Sequence, residues 1–247
     1  MNVALLYALL AAGGNLLGGL VITASSKTGR ATQRLLIAFG AGFMIATAMV
    51  GMLPHALEGG MPAAAAVLVG YLLVHLTQHV ITPHFHFGEE THHHEMVSRW
   101  VGITALLGLL LHTFFDGVAI ASGFGVGEWL GMLVFIAILL HKIPEGVTVA
   151  SIMLASGNSR KRAIGAVLAL GASTVLGVLL TSRLQFLADT GLALSAGVTL
   201  YVGASNLVPE VQKRRSTATA VAVFAGAGLF YVTYLMVRGH LEPPLQP

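Results

Sequence analysis

The sequence predicts an all-α integral membrane protein of eight transmembrane helices with inverted repeats and both termini outside the cytoplasm. Three observations carry that prediction. Hydrophobic residues fill 55% of the 247 positions and charged residues 9%, where a soluble domain has roughly 25% charged. Eight stretches reach the ~20 apolar residues that a helix needs to cross hydrocarbon. The basic residues between those stretches fall almost entirely on alternate connections.

The first span, 3–25, lacks the basic leading segment of a signal peptide and is too long for its apolar region, so it reads as a true crossing. The second and third spans are 35–57 and 62–81. A His-rich connection at about 83–99 precedes the fourth span, 100–124, and the fifth, 129–155. The sixth, 163–181, is parted from the seventh, 186–209, at Arg183–Gln185, and the eighth is 218–237. Thirty glycines suit closely packed membrane helices. The ten-residue alternating segments of a β-barrel are absent. The whole chain, 1–247, reads as a single transmembrane domain.

Ten acidic and thirteen basic residues are too few to cover a water-soluble body, and mean hydropathy is +0.82. A free cytosolic enzyme and a disordered chain are thereby excluded. The lack of cysteine removes disulfides, thiolate metal sites and a cysteine nucleophile. The net charge of +3 comes from bases flanking spans, so nucleic acid is not an expected partner. Lipid bilayer is, and a homodimer is compatible with such a chain.

The first, third, fifth and seventh connections hold Lys27, Arg30, Arg34, Arg99, Arg160, Lys161, Arg162, Lys213, Arg214 and Arg215, while Arg183 and Arg238 lie on the other side. Positive charge stays on the cytoplasmic face, so this asymmetry puts a multi-pass chain in the cell membrane with both ends outside.

The fourth span contains His112-Thr-Phe-Phe-Asp116-Gly-Val-Ala-Ile-Ala-Ser122. The fifth contains His141-Lys-Ile-Pro-Glu145-Gly-Val-Thr-Val-Ala-Ser151. Consecutive spans run in opposite directions, so these are inverted copies. A fainter pair relates Ala41-Gly42 leading to Pro54 with Ala196-Gly197 leading to Pro209. Inverted repeats with a polar site near the midplane are a recurring transporter plan.

Residues four apart share a helix face, so His112 with Asp116, and His141 with Glu145, each project an imidazole and a carboxylate together. Each pair begins about 18 Å into its span, near the bilayer centre. A lone carboxylate buried there costs several kcal/mol. Two imidazoles and two carboxylates around a divalent cation remove that cost, with a donor set suited to Zn²⁺ and also to Fe²⁺ or Mn²⁺. The alternatives are a hydrogen-bonded staple between two helices and a metal-free proton relay.

Pro144 interrupts the backbone hydrogen bonding of the fifth span and is expected to kink it. Pro54 and Pro209 are expected to distort the second and seventh spans similarly, for the pathway or for packing alone. Gly117 and Gly146 permit close helix approach. Lys142 lies too deep to snorkel and sits three residues before Glu145. Its ammonium is expected to pair with Glu145 or Asp116 when the site is empty. The alternative is a lysine lining the pathway without a part in coordination.

These motifs resemble the ZIP (Zrt/Irt-like protein) family of divalent metal transporters, of prokaryotic type, over essentially the whole chain. Met52-Leu-Pro-His-Ala56 and Asn206-Leu-Val-Pro-Glu210 are also similar to the family's second and seventh spans. The resemblance implies transport of Zn²⁺, with Fe²⁺, Mn²⁺ or Cd²⁺ in some members, into the cytoplasm. It implies His112, Asp116, His141 and Glu145 as ligands between the fourth and fifth helices. Several members have a second, adjacent metal site, but Thr113 and Lys142 replace its Asn and Asp here, which argues against a binuclear centre and implies that the Lys142 ammonium stands in for the second metal ion.

Under the expected topology His55 and Glu58 lie near the outer end of the second span, as capture groups or as ordinary interfacial residues. Asn206 and Glu210 lie near the inner end of the seventh, on the exit or as ordinary interfacial residues. His84, His86, His92, His93 and His94 make the third connection a candidate for loose cytoplasmic metal capture, the alternative being a solvated linker. His75 and His79 precede it on one helix face.

The expected activity is zinc transport with the metal as substrate and no organic cofactor, not enzymatic catalysis. Two competitors remain at this point: an intramembrane zinc hydrolase, although His-Glu-x-x-His is absent, and a metal-sensing membrane protein without flux.

Overall fold

The computed structural model describes residues 3–24, 30–77, 99–212 and 216–241, which are helical apart from short turns. The long helices are α1 (Val3–Ala24), α2 (Arg30–Ala46), α3 (Gly60–Leu76), α4 (Arg99–Val126), α5 (Glu128–Ala155), α6 (Arg160–Thr181), α7 (Gln185–Leu200) and α8 (Thr217–Leu241). Seven stretches of the described residues are long and apolar enough to cross a membrane. Most of the expected second and third spans, 35–57 and 62–81, falls within one of them, the 40-residue stretch Ile37–Leu76, and 78–81 lie outside the described residues. The chain is not uniformly α-helical there, because a 3₁₀ turn, Leu57–Gly59, separates the α2 continuation from α3, and Gly60 takes a positive φ of 69°, a conformation that suits glycine.

Two helices widen in the same way. Beyond α2 comes a π segment, Thr47–Met52, and beyond α7 another, Tyr201–Leu207. In each, a backbone N–H reaches five residues back, from Leu53 to Ala48 and from Val208 to Gly203. Each such residue immediately precedes a proline, Pro54 or Pro209. Proline has no N–H, and its ring crowds the carbonyl four residues earlier, so the preceding turn widens. The matched distortions expected of those two prolines are present. Pro144 behaves differently, since α5 runs through it without a break.

The helix packing repeats one pattern of glycine contacts. α1 lies against α5, and α6 against α4. A Cβ on Gly18 would overlap the Ile143 carbonyl, and one on Gly146 would overlap the Asn15 carbonyl. In the other half, Gly177 meets the Phe114 carbonyl and Gly117 meets the Thr174 carbonyl in the same manner. Gly117 and Gly146 therefore do allow close approach, each to an outer helix of its own half. α2 with α8, and α3 with α7, form a second related pair of contacts, closed by Gly42 and Gly226, and by Gly70 and Gly197.

α4 and α5 are joined through the single residue Gly127, so they form a tight antiparallel hairpin. Gly157, with φ of 76°, ends α5 in the left-handed conformation common after a helix. The Ser159 hydroxyl then caps α6 by accepting the Arg162 N–H at 3.3 Å.

A candidate metal centre between two inverted helices

The hairpin of α4 and α5 brings both His/acid motifs into the interior. His112, Thr113, Asp116, His141, Lys142 and Glu145 are all buried, and Lys142 is 0% exposed. Each pair shares a face of its own helix, and the antiparallel crossing turns the two faces toward each other. The His112 and His141 rings lie 5.6 Å apart between centroids.

Asp116 is the hub. Its Oδ2 lies 3.5 Å from His112 Nε2, 3.3 Å from His141 Nε2 and 2.7 Å from Lys142 Nζ. One ligand atom from each of His112, Asp116 and His141 can be chosen so that all three lie within 4.8 Å of one another, the spacing of a metal-binding group. Glu145 stands to one side of this trio. Its Oε2 accepts from Lys142 Nζ at 2.7 Å, and its Oε1 is buried without a partner.

The donor chemistry favours a cation. His141 Nδ1 lies 3.1 Å from the Ala137 carbonyl and can only donate there. A neutral ring then presents the Nε2 lone pair to Asp116. Two acceptors 3.3 Å apart repel unless a proton or a metal ion lies between them. A backbone carbonyl fixing one ring nitrogen while the other faces an ion is a common feature of metal-ligating histidines. His112 Nδ1 has no partner and is buried. Two carboxylates beside one ammonium also leave a negative charge uncompensated, which burial makes costly.

A cavity of about 30 Å³ adjoins His112, His141 and Glu145. Its other lining residues include Ile37 and Gly40 of α2, Thr148 of α5 and Leu207 beyond α7. Ile37 lies toward the Arg30 end of α2, Thr148 toward the Ala155 end of α5, and Leu207 toward Gln212. In the opposite half, an apolar cluster containing Met52, Ile120, Leu133, Val134, Ile138 and Ala196 fills the interior.

The remaining expected site residues divide. Thr113 donates its hydroxyl to the Leu110 carbonyl at 3.1 Å and is not among the three residues grouped for a metal ion. His55 Nδ1 and Glu58 Oε1 pair at 3.2 Å, with the Glu58 side chain 73% exposed, and the imidazole stands edge-on to Trp129. They form a separate surface pair. Asn206 is buried in the second π segment, and its Nδ2 has no partner. Glu210 follows in the short helix Val208–Gln212, but its side chain lies outside the described residues. His79, His84, His86, His92, His93 and His94 lie outside them as well. His75 Nδ1 is 3.2 Å from the Tyr201 hydroxyl.

One residue of the centre escaped the sequence reading. Asn15 of α1 is 0% exposed and reaches α5 beside Lys142 and Glu145. The signal was a lone amide in an apolar span, between Gly13-Gly14 and Gly18-Gly19.

A family model described as "Zip: ZIP Zinc transporter" matches residues 84–233, which include both motifs. No curated protein matches the chain.

Proposed function

Because the chain belongs to the ZIP zinc transporter family, and so transports divalent metal ions rather than acting as an enzyme, we propose that its principal cargo is Zn²⁺ moved into the cytoplasm. His112, Asp116 and His141 bind the ion, and Glu145 supplies a fourth ligand through Oε1. The single observation that carries this assignment is the buried His112–Asp116–His141 trio on α4 and α5. Two nitrogens and two carboxylate oxygens suit Zn²⁺, with Fe²⁺, Mn²⁺ and Cd²⁺ as further substrates.

Ile37–Leu76 counts as two crossings broken at Gly60, giving eight spans with both termini extracytoplasmic. A single 40-residue helix would be ~60 Å long, twice the hydrocarbon thickness. The positive-inside rule then puts the cavity on the cytoplasmic side of the centre and the apolar cluster on the outer side. Alternating access follows if the two halves rock about α4 and α5 so that cavity and cluster exchange places.

Lys142 holds the second cation position. Its ammonium neutralises part of the charge on Asp116 and Glu145, limiting the centre to one divalent ion. His55 and Glu58 form an entry pair. Asn206 and Glu210 flank the exit, and the His-rich connection gathers ions on the cytoplasmic side. The purified chain in proteoliposomes is expected to accumulate ⁶⁵Zn²⁺, with Fe²⁺, Mn²⁺ and Cd²⁺ competing. Tight Zn²⁺ binding with no flux would instead identify a sensor.

A further inference from the structure

The centre contains one polar contact that neither His/acid motif explains. Asn15 lies midway along α1 and is completely buried. With its amide oriented so that nitrogen meets the acceptors, Nδ2 donates to the Lys142 carbonyl at 2.6 Å and to Glu145 Oε2 at 3.2 Å. α1 comes this close because Gly18 and Gly146 leave no side chain between the two backbones.

We propose that Asn15 is a positioning residue for the transported ion. Its amide and the Lys142 ammonium together hold Oε2 of Glu145. That leaves Oε1, which has no protein partner, for an ion in the cavity that Glu145 lines with His112 and His141. A carboxylate gripped by Lys142 alone would turn more freely and present either oxygen. Fixing it in advance removes a rotational cost that binding would otherwise bear.

The inverted repeat supplies an internal comparison. The Asn15 carbonyl meets Gly146 as the Thr174 carbonyl of α6 meets Gly117, so Thr174 is the structural counterpart of Asn15. The Thr174 hydroxyl donates to its own helix, to the Leu170 carbonyl at 3.3 Å. Close packing of an outer helix on a His/acid helix therefore needs no amide. The amide occurs in the half that also carries Lys142, whose counterpart in the other half is Thr113. This asymmetry ties Asn15 to the handling of charge rather than to packing.

The inference rests on an ion being bound between α4 and α5, and the test separates the two claims. The full chain is purified with Asn15→Thr, which copies the counterpart, and with Asn15→Leu. Each is titrated with Co²⁺ as a spectroscopic probe and assayed for ⁶⁵Zn²⁺ uptake in proteoliposomes. Expected are an about tenfold loss of Co²⁺ affinity, the scale of one hydrogen bond to a charged group, a changed visible absorption spectrum and a matching rise in KM. Maximal rate should fall about twofold or less. In a Glu145→Gln background the Asn15 substitutions should add no further loss of affinity.

Unchanged affinity and spectrum in Asn15→Thr, or an equal loss with and without Glu145→Gln, would overturn the assignment. If Asn15→Leu does not reach the membrane, Asn15→Thr decides. Native protein that neither binds Co²⁺ nor moves Zn²⁺ would remove the metal site itself. Native protein that does both while the Asn15 variants match it would remove only the role of Asn15.

Discussion

Lys142 Nζ and Asp116 Oδ2 lie 2.7 Å apart in the interior, an ion pair that joins α5 to α4 where the two His/acid motifs face each other. The same nitrogen is 2.7 Å from Glu145 Oε2. The ammonium thus bridges both carboxylates expected to hold the ion, whereas the sequence alone offered one or the other. Under the proposed assignment, an incoming divalent cation would meet a site whose negative charge is already partly neutralised, which would weaken binding and ease release.

Replacing Lys142 with Met should tighten binding and slow turnover. Loss of one nearby positive charge is worth on the order of 1–3 kcal/mol at an intermediate dielectric, or about ten- to a hundredfold in affinity. KM for ⁶⁵Zn²⁺ uptake should fall, and maximal rate with it. Lys142→Asp should raise the bound metal from one ion per chain to two, as measured by metal analysis. Unaltered stoichiometry and transport in Lys142→Asp would remove the ammonium from any part in coordination.

Asp116 contacts His112, His141 and Lys142, so its substitution should cost most. Asp116→Asn keeps the shape but loses the charge. Metal affinity should drop by about a hundredfold or more, roughly 3 kcal/mol, and uptake should fall to background. His112→Ala and His141→Ala should also abolish uptake. Thr113→Ala should stay within about twofold of the native rate, because that hydroxyl donates to the Leu110 carbonyl of its own helix.

Protons compete with the cargo. Both imidazoles must offer a lone pair, so binding an ion requires them unprotonated. Apparent KM should rise as pH falls, by up to about tenfold per unit for each proton displaced, with less effect on maximal rate. Uptake measured across a pH series at several Zn²⁺ concentrations tests this. A KM independent of pH would argue against imidazole ligation.

Gly18→Ala and Gly177→Ala occupy corresponding positions in the two halves, each against a facing carbonyl. Overpacking of this kind costs about 1–3 kcal/mol. Both should lower the melting temperature in detergent by similar amounts. Gly13→Ala on the same α1 should not, because a Cβ there meets nothing within 4 Å.

The absence of native cysteine makes topology directly measurable. Single cysteines at Gly59 and at Lys161 should react with a membrane-impermeant reagent from opposite faces, Gly59 from outside. Labelling of both from one side would contradict the eight-span arrangement.

The helical membrane class, most helix boundaries and the shared face of each His/acid pair were legible in the amino-acid order. Hydrocarbon tolerates no unsatisfied backbone, so spans must be long and apolar. An i,i+4 His/acid spacing declares its shared face without knowledge of any neighbour. Pro54 and Pro209 also announced a distortion, since the missing N–H is a property of the residue itself. The separation of the second and third spans was less plain, because hydropathy stays high through Ile37–Leu76 and the break is a turn at Gly60.

Rotation of one helix against another was decided in three dimensions. Spacing shows which side chains stand together on α4 or on α5. It does not show that Asp116 gathers both imidazoles, that Lys142 spans both carboxylates, or that Asn15 arrives from a helix more than a hundred residues away in the chain. Those relations depend on how deeply glycine faces let backbones approach, a non-local quantity that local hydropathy and periodicity do not encode.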